Sequence, residues 1–143
     1  MYQLMYASTA AWTMEHGDLN TILDEARANN RRYGVTGLLL HLDHGFLQLL
    51  EGPKDAVLEV FRQIERDHRH IGVRVLIQQD TPSRLFGNWS MGFDRWSEGA
   101  ARTAGVFEAV REAIEQPILP EKAAALAVML RNFYLMHAGN RAA

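Results

Sequence analysis

Three residues in this sequence have the types and spacing to do chemistry together: Tyr6, Asn30 and Gln48, the second 24 and the third 42 positions after the first. Gln48 interrupts Phe46-Leu47-Gln48-Leu49-Leu50, a run that is otherwise apolar. An amide buried in such a run costs stability unless its donors and acceptor find partners. A phenol is one candidate partner. With an ordinary pKa near ~10 it keeps its proton at neutral pH and can give up an electron and a proton together. Asn30, with Asn29 beside it, adds a second amide edge. A phenol and amides converging on apolar walls make the expected lining of a cofactor pocket.

The elements that must position them can be read from periodicity. Tyr2 to Ser8 reads as a first strand, with Tyr2, Leu4, Tyr6 and Ser8 on one face. Thr9 to Gly17 reads as a loop, and Asp18 as the N-cap of a helix with Thr21 three residues on. Leu19, Ile22, Leu23 and Ala26 form its apolar stripe. Asn30 follows Leu19 by 11 positions and returns to within about 20° of its direction, so it faces the core. Arg31, Arg32 and Gly34 close the helix with cations and a C-cap glycine.

Thr36 to His41 reads as a second strand, joined through Asp43-His44-Gly45 to the Gln48 strand. Gly52-Pro53 ends that strand and opens a helix striped by Val57, Val60, Phe61 and Ile64, which stops near Asp67. Val73 to Gln79 reads as a fourth strand, and Met91-Gly92-Phe93 as a short fifth. The order strand, helix, strand, strand, helix, strand predicts an α+β, ferredoxin-like fold, βαββαβ plus a fifth strand. Two helices should cover one face of the sheet. The central strands are apolar on both sides, so a second cover is needed. Two tail helices, striped by Phe107, Val110 and Ile114 and by Leu126, Leu130 and Phe133, could provide it. If the first and third strands are neighbours, Tyr6 and Gln48 both face the first two helices.

Composition narrows the classes. At 143 residues and 48% hydrophobic, the chain suits one packed domain. A net charge of −2 and scattered arginines argue against nucleic acid as a partner. No apolar run is long enough for a membrane span, and strand-like sequence starts at Tyr2, so a cytoplasmic protein is expected. The absence of cysteine removes thiol nucleophiles, thiolate metal sites and attachment through sulfur. The six histidines contain no helical i, i+4 pair flanking a glutamate, so no metal site is expected.

These residues resemble the BLUF domain, a blue-light sensor with a non-covalently bound flavin. Tyr6 and Ser8 fit its first strand, Asn29-Asn30 the end of its first helix, and Gly34 to Leu40 its second strand. Phe46-Leu47-Gln48 and Leu50-Glu51-Gly52-Pro53 fit the third. Asp67, Arg69 and His70 fit the segment after the second helix, and Trp89 to Phe93 the fifth strand. The likeness implies a sensor core over 1–97 and a two-helix extension over 98–143 that forms an output or oligomer face.

It implies that Asn30, with Asn29, holds the pyrimidine edge of the ring, with Ser8 also at the site. Ile22, Leu39, Phe46 and Ile64 would be apolar walls, and Asp67, Arg69 and His70 would lie along the ribityl and phosphate side. Gln48 would bridge Tyr6 and the flavin. Light-driven transfer from Tyr6 would leave the Gln48 amide rearranged, with Trp89 and Met91 relaying the change. The implied cofactor is FAD, with FMN or riboflavin as substitutes. The chain would be no enzyme, and its output would pass through a homo-oligomer or a separate protein partner.

Taken singly, each residue has a plainer reading: Gln48 as a structural amide, Tyr6 as a core tyrosine, Asn29-Asn30 as cap chemistry, Trp89 and Met91 as packing. Two other functions fit the same architecture. An acylphosphatase-like hydrolase would need a phosphate-cradling loop before an arginine, which is missing. A regulatory domain for a small ligand or a partner, without photochemistry, is the alternative the sequence leaves open. Light-oxygen-voltage sensors need a cysteine.

Overall fold

The computed structural model describes residues 1–42, 45–84 and 92–95. The elements in chain order are β1 (Tyr2–Ala10), α1 (His16–Tyr33), β2 (Thr36–Leu42), β3 (Gly45–Gly52), α2 (Lys54–Arg66), β4 (His70–Asp80) and β5 (Gly92–Arg95). The sheet order is β4-β1-β3-β2-β5. The first four strands pair antiparallel, and β5 lies parallel to β2. This is the expected ferredoxin-like arrangement with a fifth strand at the edge.

Strand alternation divides the sheet into two faces. Tyr2, Leu4, Tyr6, Leu39, Phe46 and Leu50 join Leu19, Ile22, Leu23, Val57, Val60 and Phe61 in one core, so α1 and α2 cover that face. Met5, Ala7, Leu38, Leu40, Leu47 and Leu49 are buried on the other. The two tail helices expected as its cover lie outside the described residues. β2 and β3 approach closely at Gly37, where an added Cβ would stand 1.8 Å from the Leu49 carbonyl oxygen. Any side chain there would force the two strands apart.

Local details differ from the sequence expectation at three places. α1 begins earlier, with Glu15 as N-cap, and Asp18 sits at N3, where its Oδ2 accepts the Glu15 backbone N–H at 3.1 Å. Asp18 therefore contributes the reciprocal half of a capping box. β1 continues through Thr9 and Ala10, which were expected in a loop, because β4 supplies partners: Thr9 pairs with Ile71 and Ala10 with His70. β4 itself starts at His70, three residues before its apolar run.

Candidate functional site

A cavity of about 190 Å³ opens between α1, α2 and the sheet. Each helix offers it one stripe. Ile22, Glu25, Ala26, Asn29 and Asn30 follow at i, i+3, i+4, i+7 and i+8 along α1. Val60, Gln63 and Ile64 do so along α2, with Asp67 one further turn on as its C-cap. Residues at these spacings share a helix face. Leu39, Gln48, Arg69 and His70 complete the lining.

The end of α1 is fixed at the residue that matters. Gly34 takes the left-handed conformation at φ 69°, and the Val35 N–H donates to the Asn30 carbonyl over 2.9 Å. The Asn30 side chain, 1% exposed, is thereby held at the cavity wall. Asn29 Nδ2 donates to Gln63 Oε1 at 2.8 Å and ties α1 to α2.

Cross-strand register builds the floor. Gln48 on β3 is paired with Leu39 on β2 and with Tyr6 on β1. The Tyr6 hydroxyl donates to Gln48 Oε1, and both residues are buried. Tyr6 stands behind Gln48, its ring 5.5 Å from that of Phe61, and does not itself line the cavity. Burial pushes the Tyr6 phenol well above its ordinary pKa, and the Asp67 carboxylate adds to the rise. The proton stays on the hydroxyl.

Ser8 and Phe46 also stand one layer back. Ser8 Oγ lies 2.7 Å from His70 Nδ1, and the Phe46 ring packs 4.9 Å from the His70 ring. Phe46 is thus a support for His70 rather than a wall of the cavity. Burial lowers the His70 pKa; the Asp67 charge opposes that and the Arg69 charge adds to it. Burial thus favours the uncharged imidazole.

At the mouth, Arg69 Nε reaches the two Asp67 oxygens at 2.9 and 3.0 Å, and Nη2 reaches Glu25 Oε2 at 2.8 Å. Burial acts to raise the Asp67 pKa, but hydrogen bonds and charge from Arg69, helped by the His70 charge, bring it below the usual carboxylate value. The hydrogen bond to Asp67 in turn raises Arg69.

Of the residues expected at the site, Ile22, Asn29, Asn30, Leu39, Gln48, Ile64, Asp67, Arg69 and His70 meet at this cavity. Trp89 and Met91 lie outside the described residues. Glu25, Ala26, Val60 and Gln63 were not expected there; the 3–4 spacing of Glu25 and Ala26 from Ile22, of Val60 from Ile64 and of Gln63 from Val60 was the available signal. Among the described residues no group of three or more His, Asp or Glu could hold a metal, and no described helix is long and apolar enough to cross a membrane.

Residues 1–92 match the family model for BLUF, described as sensors of blue-light using FAD. The chain belongs to the BLUF family. It is 36% identical over 89 residues to the beta subunit of the photoactivated adenylate cyclase of Euglena gracilis and 40% identical over 89 residues to that of Euglena longa. Each match covers 62% of this chain and 10% of the cyclase subunit, so the chain spans about a tenth of these curated relatives. Among solved structures, the dark state of the BLUF protein BlrB superposes with a TM-score of 0.77 at 28% identity, covering 92% of this chain and 96% of that one. The photo-activated state of BlsA gives 0.73 at 26%, covering 91% and 94%.

The BLUF cavity fits a flavin ring by its own chemistry. Its walls pair apolar Ile22, Leu39, Val60 and Ile64 with the amides of Asn29, Asn30 and Gln48, as a flat heterocycle with a polar edge requires.

Proposed function

We propose that this chain is a blue-light receptor that holds FAD in the α1–α2 cavity, with Tyr6 as electron and proton donor and Gln48 as the switching amide. The observation that carries this reading is the buried hydrogen bond from Tyr6 to a glutamine that lines the cavity. When bound, the flavin supplies blue-light absorption and, once excited, an oxidant strong enough to draw on a phenol.

The chain's own residues do the rest. Asn30 and Asn29 bind the polar edge of the ring; Ile22, Leu39, Val60 and Ile64 orient its faces and exclude water. Tyr6 keeps its proton in the dark because its surroundings disfavour phenolate. On oxidation its proton would pass along the hydrogen bond to Gln48 Oε1, while its electron would go to the excited flavin. Glutamine suits this position because its two ends have nearly the same shape and opposite hydrogen-bonding character. Exchange of those ends by rotation or tautomerisation rewires the bonds without placing charge in the core.

The rearranged amide then acts on the fifth strand, with Trp89 and Met91 as relay side chains, and on residues 98–143 as the output face. Output runs through a homo-oligomer or a separate protein partner in the cytoplasm. The chain has no catalysis of its own in this reading, and the cyclase activity named for the Euglena proteins belongs to those far longer chains.

The decisive experiment is a visible spectrum of the purified protein before and after blue illumination. Yellow protein whose bands move to the red and return in darkness is expected. A yellow protein with static bands refutes the switch and leaves a flavin-binding regulatory domain. A protein that takes up no flavin refutes the whole reading.

A further inference from the structure

Arg84 lies outside the cavity lining, in the stretch between β4 and β5, yet its guanidinium joins three elements that build the cavity. Nη2 donates to the Gly34 carbonyl at 2.9 Å. Nη1 donates to Thr36 Oγ1 at 2.8 Å and to the Glu51 carbonyl at 3.3 Å. Gly34 is the C-cap of α1, Thr36 opens β2, and Glu51 is the cross-strand partner of Thr36 on β3. Each acceptor is a neutral oxygen, and the cation stands at the negative end of the α1 dipole. A planar guanidinium serves several oxygens in fixed directions, which an ammonium on a flexible stem does not.

The corner held in this way is tight. An added Cβ on Gly52 would stand 3.0 Å from the Gly34 carbonyl oxygen and 3.5 Å from Val35 Cα, so the α1–β2 turn runs directly against the end of β3. Within that turn the Gly34 N–H donates to the Arg31 carbonyl at 3.3 Å, and the Val35 N–H to the Asn30 carbonyl at 2.9 Å. Arg84 therefore grips the turn whose bonds end on Asn30. Asn30 is the most buried polar residue that α1 brings to the cavity. An amide meets a flat heterocycle well in one orientation, so a small shift of its backbone weakens the contact. Gln48 needs no such help, because β3 is laddered to β1 on one side and to β2 on the other.

We propose that Arg84 is a positioning residue for the cavity: from outside the lining it fixes the α1–β2 turn and so holds Asn30 in the orientation that binds flavin. The inference rests on the flavin reading above.

The test is a double-mutant cycle on flavin affinity. Release of FAD is followed on dilution of each holoprotein, at a temperature where circular dichroism shows every variant folded. Arg84→Met is expected to raise the dissociation constant about three- to tenfold, the worth of roughly one hydrogen bond. In an Asn30→Ala background the same substitution should cost less than about twofold, because the group it positions is gone. Where Asn30→Ala retains too little FAD to titrate, Asn30→Ser serves as the background. Arg84→Lys, which reaches only part of the acceptor set, should fall between parent and Arg84→Met; if Arg84→Met does not fold, Arg84→Lys runs the cycle under the same criteria. Arg62→Met removes an exposed cation of α2 away from the turn and should leave affinity unchanged. FAD that stays bound to Arg84→Met should still show the light-induced red shift, since Gln48 is undisturbed. An equal penalty in both backgrounds, no penalty at all, or a lost red shift each overturns this inference, while a parent chain that binds FAD and switches keeps the flavin reading standing. A parent chain that takes up no flavin overturns both.

Discussion

β1 and β3 carry two buried polar pairs, one on each face of the sheet. On the helix side Tyr6 donates to Gln48; on the far side Gln3 Nε2 donates to Glu51 Oε2 at 3.3 Å. Both are cross-strand partners in the same register, and none of the four residues is more than 4% exposed. Their surroundings differ. Gln48 borders a cavity, whereas Gln3 and Glu51 border no part of it and continue the polar line to β4, where Gln79 donates to Gln3 over 2.9 Å. An amide fixed between two protein partners has one arrangement. An amide beside a cavity can exchange a protein partner for a ligand. Burial of a polar pair therefore marks structure, and the adjoining cavity marks function.

The sharpest way to break this contrast is to remove each pair in turn and look for the light-induced red shift. Tyr6→Phe and Gln48→Leu should each bind flavin and lose the shift completely. Glu51→Gln, which keeps the shape and hydrogen-bonding reach of the far pair, should cycle like the parent. Difference spectra after blue illumination decide it; loss of the shift in Glu51→Gln would erase the distinction between the faces. A disruption beneath both faces should come next in size. Gly37→Ala places a methyl group against the Leu49 carbonyl, and about 3 kcal/mol of stability should be lost, as measured by denaturant unfolding.

The far pair alone should show a smaller, purely structural effect. Glu51→Leu leaves the Gln3 amide short of the acceptor it has in the native sheet, costing about 1–3 kcal/mol, while flavin uptake persists. A stability unchanged by Glu51→Leu would mean that the far pair does not hold the strands.

Much of this arrangement was legible from alternation and helical spacing. Tyr2, Leu4 and Tyr6 share a face, Asn30 returns to the core side of α1, and Gly34 caps that helix, as the pattern alone required. What escaped local reading depended on contacts distant in sequence. Thr9 and Ala10 carry no turn chemistry that decides their state; β4 makes them strand. The start of β4 was hidden by His68-Arg69-His70 and by Gly72, which adopts φ 62°. Gln63 stands off the apolar stripe of α2, and only its bond from Asn29 of α1 brings it to the site. The charge balance around Arg69 also joins residues from two helices and a turn, so spacing along one element could not disclose it.

The smallest effect is expected from pH, and it separates the two faces once more. The cavity side holds two groups kept neutral, His70 with its pKa lowered from 6.5 by burial and Tyr6 with its pKa raised from 10.0, likewise by burial. Below about 6.5 an unfolded histidine takes a proton that the folded one resists, so the unfolded chain binds more protons and stability falls with falling pH. Above about 10 an unfolded tyrosine releases a proton that folded Tyr6 keeps, so stability falls with rising pH. The contribution of these two groups is thus fully present between those limits. The Asp67 pKa is lowered, so its contribution is lost only in more acid solution. His70→Gln, which leaves a polar side chain near Ser8 and Phe46, should flatten the decline of the thermal midpoint between pH 6.5 and 5. Glu51→Gln should leave that decline in place. An equal flattening by both would show that the acid limb does not originate at the cavity.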